Sequence, residues 1–215
     1  MRRAAADIDS TAAGGFQVVG ADHLLRFAGA DDAPQLLELA SDPEVTRYFS
    51  WGPYSSVDEP LAYVKSLPAK RVSGALLEFV IVERSSGEIQ GVTGLTEFSL
   101  RDRRAVVGSW IGRRHWGTGV NKASKSLVLA LGFRLLGLTR ISAYSHVLNG
   151  RSATALERIG FHPEGVLEAW HWHRGEPQDV TIHCMLRDHY QRTELAADTV
   201  EFVGQPPRQY VVAPG

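Results

Sequence analysis

Ile111-Gly112-Arg113-Arg114-His115-Trp116-Gly117-Thr118-Gly119-Val120-Asn121-Lys122 decides the reading of this chain. It joins a strand-like stretch, Arg104 to Gly112, to a run from Val120 to Leu136 that is apolar on most sides. A strand therefore passes through a glycine loop into a helix packed against a sheet. Glycines at such a junction let backbone amides converge on an anion, and the positive end of the helix dipole adds about 0.3 to 2 kcal/mol. Two common phosphate loops do not fit. Gly112 and Gly117 have Walker A spacing, but Thr118 stands where that motif requires lysine. The dinucleotide fingerprint needs glycine where Lys122 stands. From Arg101 to Lys125 seven basic residues accompany one acid, Asp102, which predicts a polyanionic ligand here.

Outward from this loop, His23 to Ala28 suits a strand, and Asp31 or Asp32 caps a helix running through Ala40. A second helix is expected over Val57 to Leu67. Leu76–Glu83 and Ile89–Leu100 form a hairpin around Ser85-Ser86-Gly87-Glu88, and Arg104–Gly112 adds a third antiparallel strand. After the helix ending at Gly137 come a strand over Thr139–Val147, a short helix over Ser152–Ile159, and strands over Val166–His173 and Val180–Leu186. The fold class is α/β: a mixed, largely antiparallel central sheet of about seven strands with helices on both faces.

The chain has 215 residues, 44% apolar and 22% charged, with 23 basic against 24 acidic side chains. These values describe a soluble globular protein able to bury ~70% of its unfolded surface, without the basic excess of a nucleic-acid or membrane-surface binder. No nucleic-acid or membrane partner is therefore expected. The one cysteine, Cys184, has no disulfide partner, which fits a reducing, cytoplasmic setting. Met1-Arg2-Arg3 precedes a segment with Asp7 and Asp9 and no apolar core, so no export signal is expected, and no apolar stretch approaches the ~20 residues of a membrane span. The organisation expected is a flexible arm over 1–20, one domain over 21–192 and an extension over 193–215. Within that extension, Thr199–Val203 and Tyr210–Val212 are candidate extra strands that would pair with a second subunit, making a homodimer.

Four segments in order carry a resemblance. They are Trp116–Lys122, Leu136-Gly137-Leu138-Thr139-Arg140-Ile141, Asn149-Gly150-Arg151-Ser152 and Leu156-Glu157-Arg158-Ile159-Gly160-Phe161. Together, over about Leu24 to Tyr190, the chain resembles the GNAT superfamily of N-acetyltransferases, and within it the ribosomal-protein alanine N-acetyltransferases and their small-molecule relatives. The resemblance implies a splay between the fourth and fifth strands, into which acetyl-CoA enters as co-substrate. It implies that Trp116, Gly117, Thr118, Gly119, Val120, Asn121 and Lys122 hold the pyrophosphate, that Ile111 holds the pantetheine arm, and that Asn149 bonds the coenzyme near the thioester. The loop departs from the family pattern at Asn121, where a second small residue is usual. A small-molecule or peptide N-terminal amine would attack the thioester directly in a ternary complex, with no covalent enzyme intermediate.

Such attack needs a base for the ammonium and a donor for the departing thiolate. The tyrosine that many relatives place four residues before the Gly-Phe pair is Leu156 here, so Ser152 is the matching donor; its bland alternative is a helix-capping hydroxyl. The carboxylate that some relatives place five residues before the asparagine is Tyr144 here, so Glu97 is the substitute base, with an outward-facing strand carboxylate as its alternative. Trp51 and Tyr54, in the aromatic stretch Glu44–Tyr54, and His171 and His173, in Trp170-His171-Trp172-His173, are expected to line the acceptor site. His171 and His173 share a strand face, but no third ligand is fixed by spacing, so no metal is assigned. Two rival readings are a non-catalytic acyl-CoA-binding or regulatory module and a nucleic-acid binder using the Arg101–Lys125 patch.

Overall fold

The computed structural model describes residues 15–213, so the reading of Met1 to Gly14 as part of a flexible arm lies outside the described residues. Nine strands form one sheet: β1 (Gln17–Val19), β2 (His23–Arg26), β3 (Leu76–Glu83), β4 (Ile89–Ser99), β5 (Arg104–Ile111), β6 (Arg140–His146), β7 (His162–His173), β8 (Glu176–Leu186) and β9 (Glu201–Val203). Their spatial order is β7-β8-β6-β5-β4-β3-β2-β1-β9. The helices are α1 (Ala33–Ala40), α2 (Pro43–Thr46), α3 (Asp58–Val72), α4 (Val120–Ala130), α5 (Gly150–Arg158) and α6 (Arg187–Tyr190). The mixed sheet with helices on both faces is as expected. The helix expected over Val57 to Leu67 is α3, which continues through Pro68 to Val72.

Alternation along the strands divides the core. Leu77, Phe79 and Ile81 of β3, Leu95 of β4 and Ala105 and Val107 of β5 pack on one face against Leu127, Val128 and Leu131, against Leu156 of α5 and against Ile159 just past its end. Val80, Val82 and Val92 turn to the other face, against Leu36 and Leu39 of α1 and Val64 of α3. The long helix expected to Leu136 is α4 followed by a π turn over Leu131–Leu135, where the Leu136 amide donates to the Leu131 carbonyl at 2.9 Å. Gly132 sits in that turn because a Cβ there would lie 2.6 Å from Ile141 Cδ1 of β6.

Every strand pair is antiparallel except β5 with β6. That parallel pairing covers only Arg104–Val106 against Arg140–Ser142. Beyond it β5 stays paired with β4 as far as Ile111, and β6 with β8 as far as His146. The two strands therefore part while each keeps its outer partner, and a wedge opens between them.

The ends of the domain depart from expectation. Gln17–Val19, inside the span read as an arm, is β1, and Glu201–Val203 pairs with it as β9, Val18 opposite Phe202. The extra strand thus extends this chain's own sheet rather than a second subunit's. Tyr210–Val212 is not a strand. Tyr210 ends a 3-10 turn and is buried in the main core, its ring 4.6 Å from that of Phe98 and its hydroxyl donating to the Leu76 carbonyl at 2.7 Å. A buried phenol of that size with a satisfied hydroxyl anchors the segment more strongly than strand pairing at its tip.

Candidate active site

The wedge leads into a cavity of about 940 Å³ that crosses the sheet. One wall is the glycine loop. After Gly112 a 3-10 turn over Arg113–His115 brings Trp116 back, and its indole N–H donates to the Ile111 carbonyl at 2.8 Å. The Thr118 hydroxyl closes the loop on the His115 carbonyl at 2.8 Å. Gly117 and Gly119 have φ of 80° and 96°, and Gly119 is the left-handed N-cap of α4. A Cβ at either position meets nothing within 4 Å, so glycine is required here by conformation and not by space. The Ala123 amide is the first of the helix to bond back, to the Gly119 carbonyl at 3.0 Å, which leaves the preceding first-turn amides without an intrahelical partner, as suits an anion site.

Of the residues expected to hold coenzyme, Ile111, Trp116, Gly117, Gly119, Asn121 and Asn149 line the cavity. Thr118, Val120 and Lys122 do not. Thr118 ties the loop, Val120 is buried in the core, and Lys122 pairs with Glu194 at 3.0 Å. Asn149 caps α5 by accepting the Ser152 amide at 3.2 Å, and Ser152 also borders the cavity. Arg151 lays its guanidinium over the Trp116 ring, 3.2 Å from the centroid, joining the start of α5 to the loop.

The opposite opening is aromatic. Trp51 reaches the cavity and packs edge-on to Trp110 of β5 at 5.7 Å. Tyr54 stands behind Trp51, 5.2 Å between rings, away from the wall, and burial followed by the nearby Glu78 and Glu59 pushes its phenol up to about 12. His171 and His173 both line the cavity, as do Trp170 and Trp172. β7 is an exposed edge strand whose ladder with β8 shifts register between Leu167 and His171, with Ala169 at φ 52°, before regular pairing resumes over His171–His173. Burial lowers the His173 imidazole below its usual range, and the neighbouring Arg174 acts in the same direction.

Glu97 is exposed and is not on the cavity wall, yet it is tied to it. The β4–β5 register slips between Thr96 and Ser99, Glu97 takes φ 50°, and its carboxylate accepts the Tyr144 hydroxyl at 3.2 Å. Tyr144 does line the cavity, edge-on to His171 at 5.6 Å, and burial and the Glu97 charge raise its phenol above the ordinary value. Tyr144 is the link that spacing alone did not supply.

The basic stretch near the loop is largely paired with acids, most of them from elsewhere in the chain. Arg101 and Arg104 face Asp102, Arg113 faces Asp42 at 3.4 Å, and Arg114 bridges Glu38 and Glu88. Exposed pairs of this kind contribute ~0 to 1 kcal/mol each, but they disperse the continuous positive patch that the sequence suggested. Lys125 is different. Sequence reading counted it only as one charge among seven, whereas its side chain is buried, 2% exposed, and lines the cavity. Its Nζ donates to Ser109 Oγ at 2.5 Å, and burial pushes the ammonium down to about 8. The available signal was its spacing of one helical turn after Asn121.

Cys184 is buried on β8 and does not line the cavity; burial pushes its thiol up to about 11. In the native protein it should react with an aromatic disulfide ~10²-fold more slowly than in the urea-unfolded chain, followed by absorbance. Equal rates would mean an accessible thiol and reopen a nucleophilic role.

The domain, with its sheet parted at one parallel junction beside a glycine loop, is similar to known proteins. The model of the acetyltransferase (GNAT) domain matches residues 23–162. An uncharacterized N-acetyltransferase, p20 of Bacillus licheniformis, is 29% identical over 166 residues, covering 77% of this chain and 93% of the relative. Among solved structures, a protein provisionally assigned as a ribosomal-protein-serine acetyltransferase of Vibrio cholerae superposes with a TM-score of 0.74 at 23% identity, covering 80% of this chain and 98% of the other. Spermidine N-acetyltransferase of Vibrio cholerae, solved with CoA and spermine, gives 0.67 at 25% identity, covering 80% and 99%. The neighbours differ in acceptor and share the domain; by the span of that domain match, this chain belongs to the GNAT acetyltransferase family.

Proposed function

We propose that the chain transfers the acetyl group of acetyl-CoA to a primary amine by direct attack in a ternary complex. The observation that carries this reading is a single cavity lined from both faces of the sheet through the β5–β6 wedge. On the α4–α5 side, the amides around Gly119 and at the start of α4 would hold the pyrophosphate, and Ile111 and Asn149 the pantetheine arm. On the other side, Trp51, Tyr144, His171 and His173 would surround the amine. Tyr144 would accept a hydrogen bond from the attacking nitrogen and pass its own proton to Glu97, so Glu97 acts through Tyr144 as a positioning residue and proton sink. Ser152, at the start of α5, would donate a hydrogen bond to the sulfur.

The cavity favours a singly charged acceptor. Glu44 is its one lining carboxylate among the described residues, against the guanidiniums of Arg151 and Arg158. A polyamine would meet little charge complementarity there, whereas an α-amine, ordinarily near pKa 7.7 to 8.0 and ~20 to 35% neutral at pH 7.4, needs only modest help from a base. A peptide N-terminus or a small α-amine is therefore preferred, consistent with a ribosomal-protein type of acceptor.

Thiol release from acetyl-CoA against alanine- and serine-initiated peptides, small amines and spermidine tests this reading. Peptides or α-amines should outpace spermidine, with intersecting double-reciprocal plots. Tyr144→Phe should lower kcat ~10- to 100-fold with acetyl-CoA affinity unchanged, and Glu97→Gln by a similar factor. Tight acetyl-CoA binding without turnover of any amine would favour the non-catalytic acyl-CoA module instead.

A further inference from the structure

Lys125 projects from the second turn of α4, on the same helical face as Asn121, into the coenzyme side of the wedge. Among the described residues its one hydrogen bond is to the neutral Ser109 hydroxyl of β5, and no carboxylate pairs with it. A buried ammonium without a counter-ion is costly to the folded protein, because neither water nor a carboxylate compensates the charge. Such a group is explained if an anion arrives beside it during the reaction. The pyrophosphate is one anion of the coenzyme, and the loop amides already face it. The other is the sulfur, which becomes a thiolate as the thioester breaks.

The coenzyme side offers few groups able to give that sulfur a proton. Leu156 is apolar, and the guanidiniums of Arg151 and Arg158 hold their protons far above neutral pH. The Ser152 hydroxyl can give a hydrogen bond but is too weak an acid to surrender its proton near neutrality. The cavity imidazoles of His146, His171 and His173 belong to β6 and β7, among the acceptor-side aromatics, where His146 packs on Tyr48 and His171 on Tyr144, and that of His115, on the glycine loop, is engaged in the loop's ion pairs, its Nε2 accepting from Arg114 Nε at 3.0 Å and lying 3.7 Å from Glu88. We propose that Lys125 is the proton donor to the coenzyme sulfur, a role that rests on the acetyl-transfer reading above. The amine nitrogen bonds to the carbonyl carbon, the carbon–sulfur bond breaks with its electron pair on sulfur, and sulfur takes a proton from Lys125 Nζ. The proton lost by the amine leaves through Tyr144 and Glu97 to solvent, and Lys125 regains one from solvent, so the net products are the amide and CoA thiol. A free thiol titrates near 8.5, and the buried Lys125 near 8, so the transfer is close to thermoneutral.

Lys125→Met tests the role, since an apolar side chain of similar length at a buried charge site is often neutral or stabilising. It should lower kcat ~10²- to 10³-fold while the calorimetric Kd for acetyl-CoA stays within about threefold. Independently of turnover, the thiol of bound CoA, followed by thiolate ultraviolet absorbance against pH, should titrate ~1 unit lower in the native protein than in Lys125→Met. Lys125→Arg, which keeps the charge but holds its proton, should retain the low thiol titration and remain slow. A methionine variant with native kcat, a weakened Kd alone, or an unchanged thiol titration overturns the proposal. If that variant does not fold, Lys125→Gln takes the same measurements. Failure of the native protein to bind acetyl-CoA would instead overturn the transfer reading itself.

Discussion

Gly119→Val should abolish measurable acetyl-CoA binding while leaving a folded protein. At φ 96° a β-branched residue bears ~1 to 3 kcal/mol of backbone strain, relieved only by rotating the peptide units that aim the first-turn amides. No atom lies within 4 Å of the added Cβ, so the damage is conformational and confined to the loop. Hydrogen bonds to a charged phosphate contribute ~1.5 to 3 kcal/mol each, and misdirecting two of them raises Kd by ~10²- to 10⁴-fold. Calorimetric titration beside a melting curve separates loss of the site from loss of the fold. Affinity within about threefold of native, in a folded variant, would remove this loop from the coenzyme site.

Truncation after Arg192 should leave a chain that does not fold. The extension looks dispensable by composition, yet Leu195 and Tyr210 are buried in the main core, and β9 covers the free edge of β1. The Tyr210 hydroxyl also satisfies the Leu76 carbonyl at 2.7 Å and lies 3.0 Å from that of Arg71, and Ser126 bonds Asp198 at 2.5 Å. Losing a buried aromatic costs ~3 to 5 kcal/mol and a buried leucine ~2 to 5, which together rival the whole stability of a typical domain. Circular dichroism and solubility of the 1–192 chain provide the measurement, with Tyr210→Ala as the graded variant. A cooperative transition for 1–192 within a few degrees of the full chain would show that the extension is a true appendage.

The elements around the glycine loop were legible because their signals are local. Gly117 and Gly119 mark a junction, Asp32 precedes α1, and alternation from Leu76 to Ile111 marks three strands. What was not legible depends on residues distant in sequence. Tyr144 meets Glu97 only because β4 slips its register before β5 and β6 diverge. The basic stretch loses its patch because Glu38, Asp42 and Glu88 fold over it. β1 and β9 are three residues each, too short for a period, and form only because they pair with each other and with β2. Lys125 shares a helical face with Asn121, but its burial is decided by the approach of β5.

The two outer strands of the sheet also bear on how this protein meets copies of itself. β9 offers three residues, too short to template a partner strand. β7 offers twelve, largely exposed, but Pro163 lacks an amide hydrogen, and the ladder slips between Pro163 and Gly165 and again between Leu167 and His171. A second chain cannot run an unbroken hydrogen-bonded ladder along either rim. Strand-on-strand pairing between copies is thus disfavoured at both rims, which leaves side-chain surfaces such as the exposed Trp172.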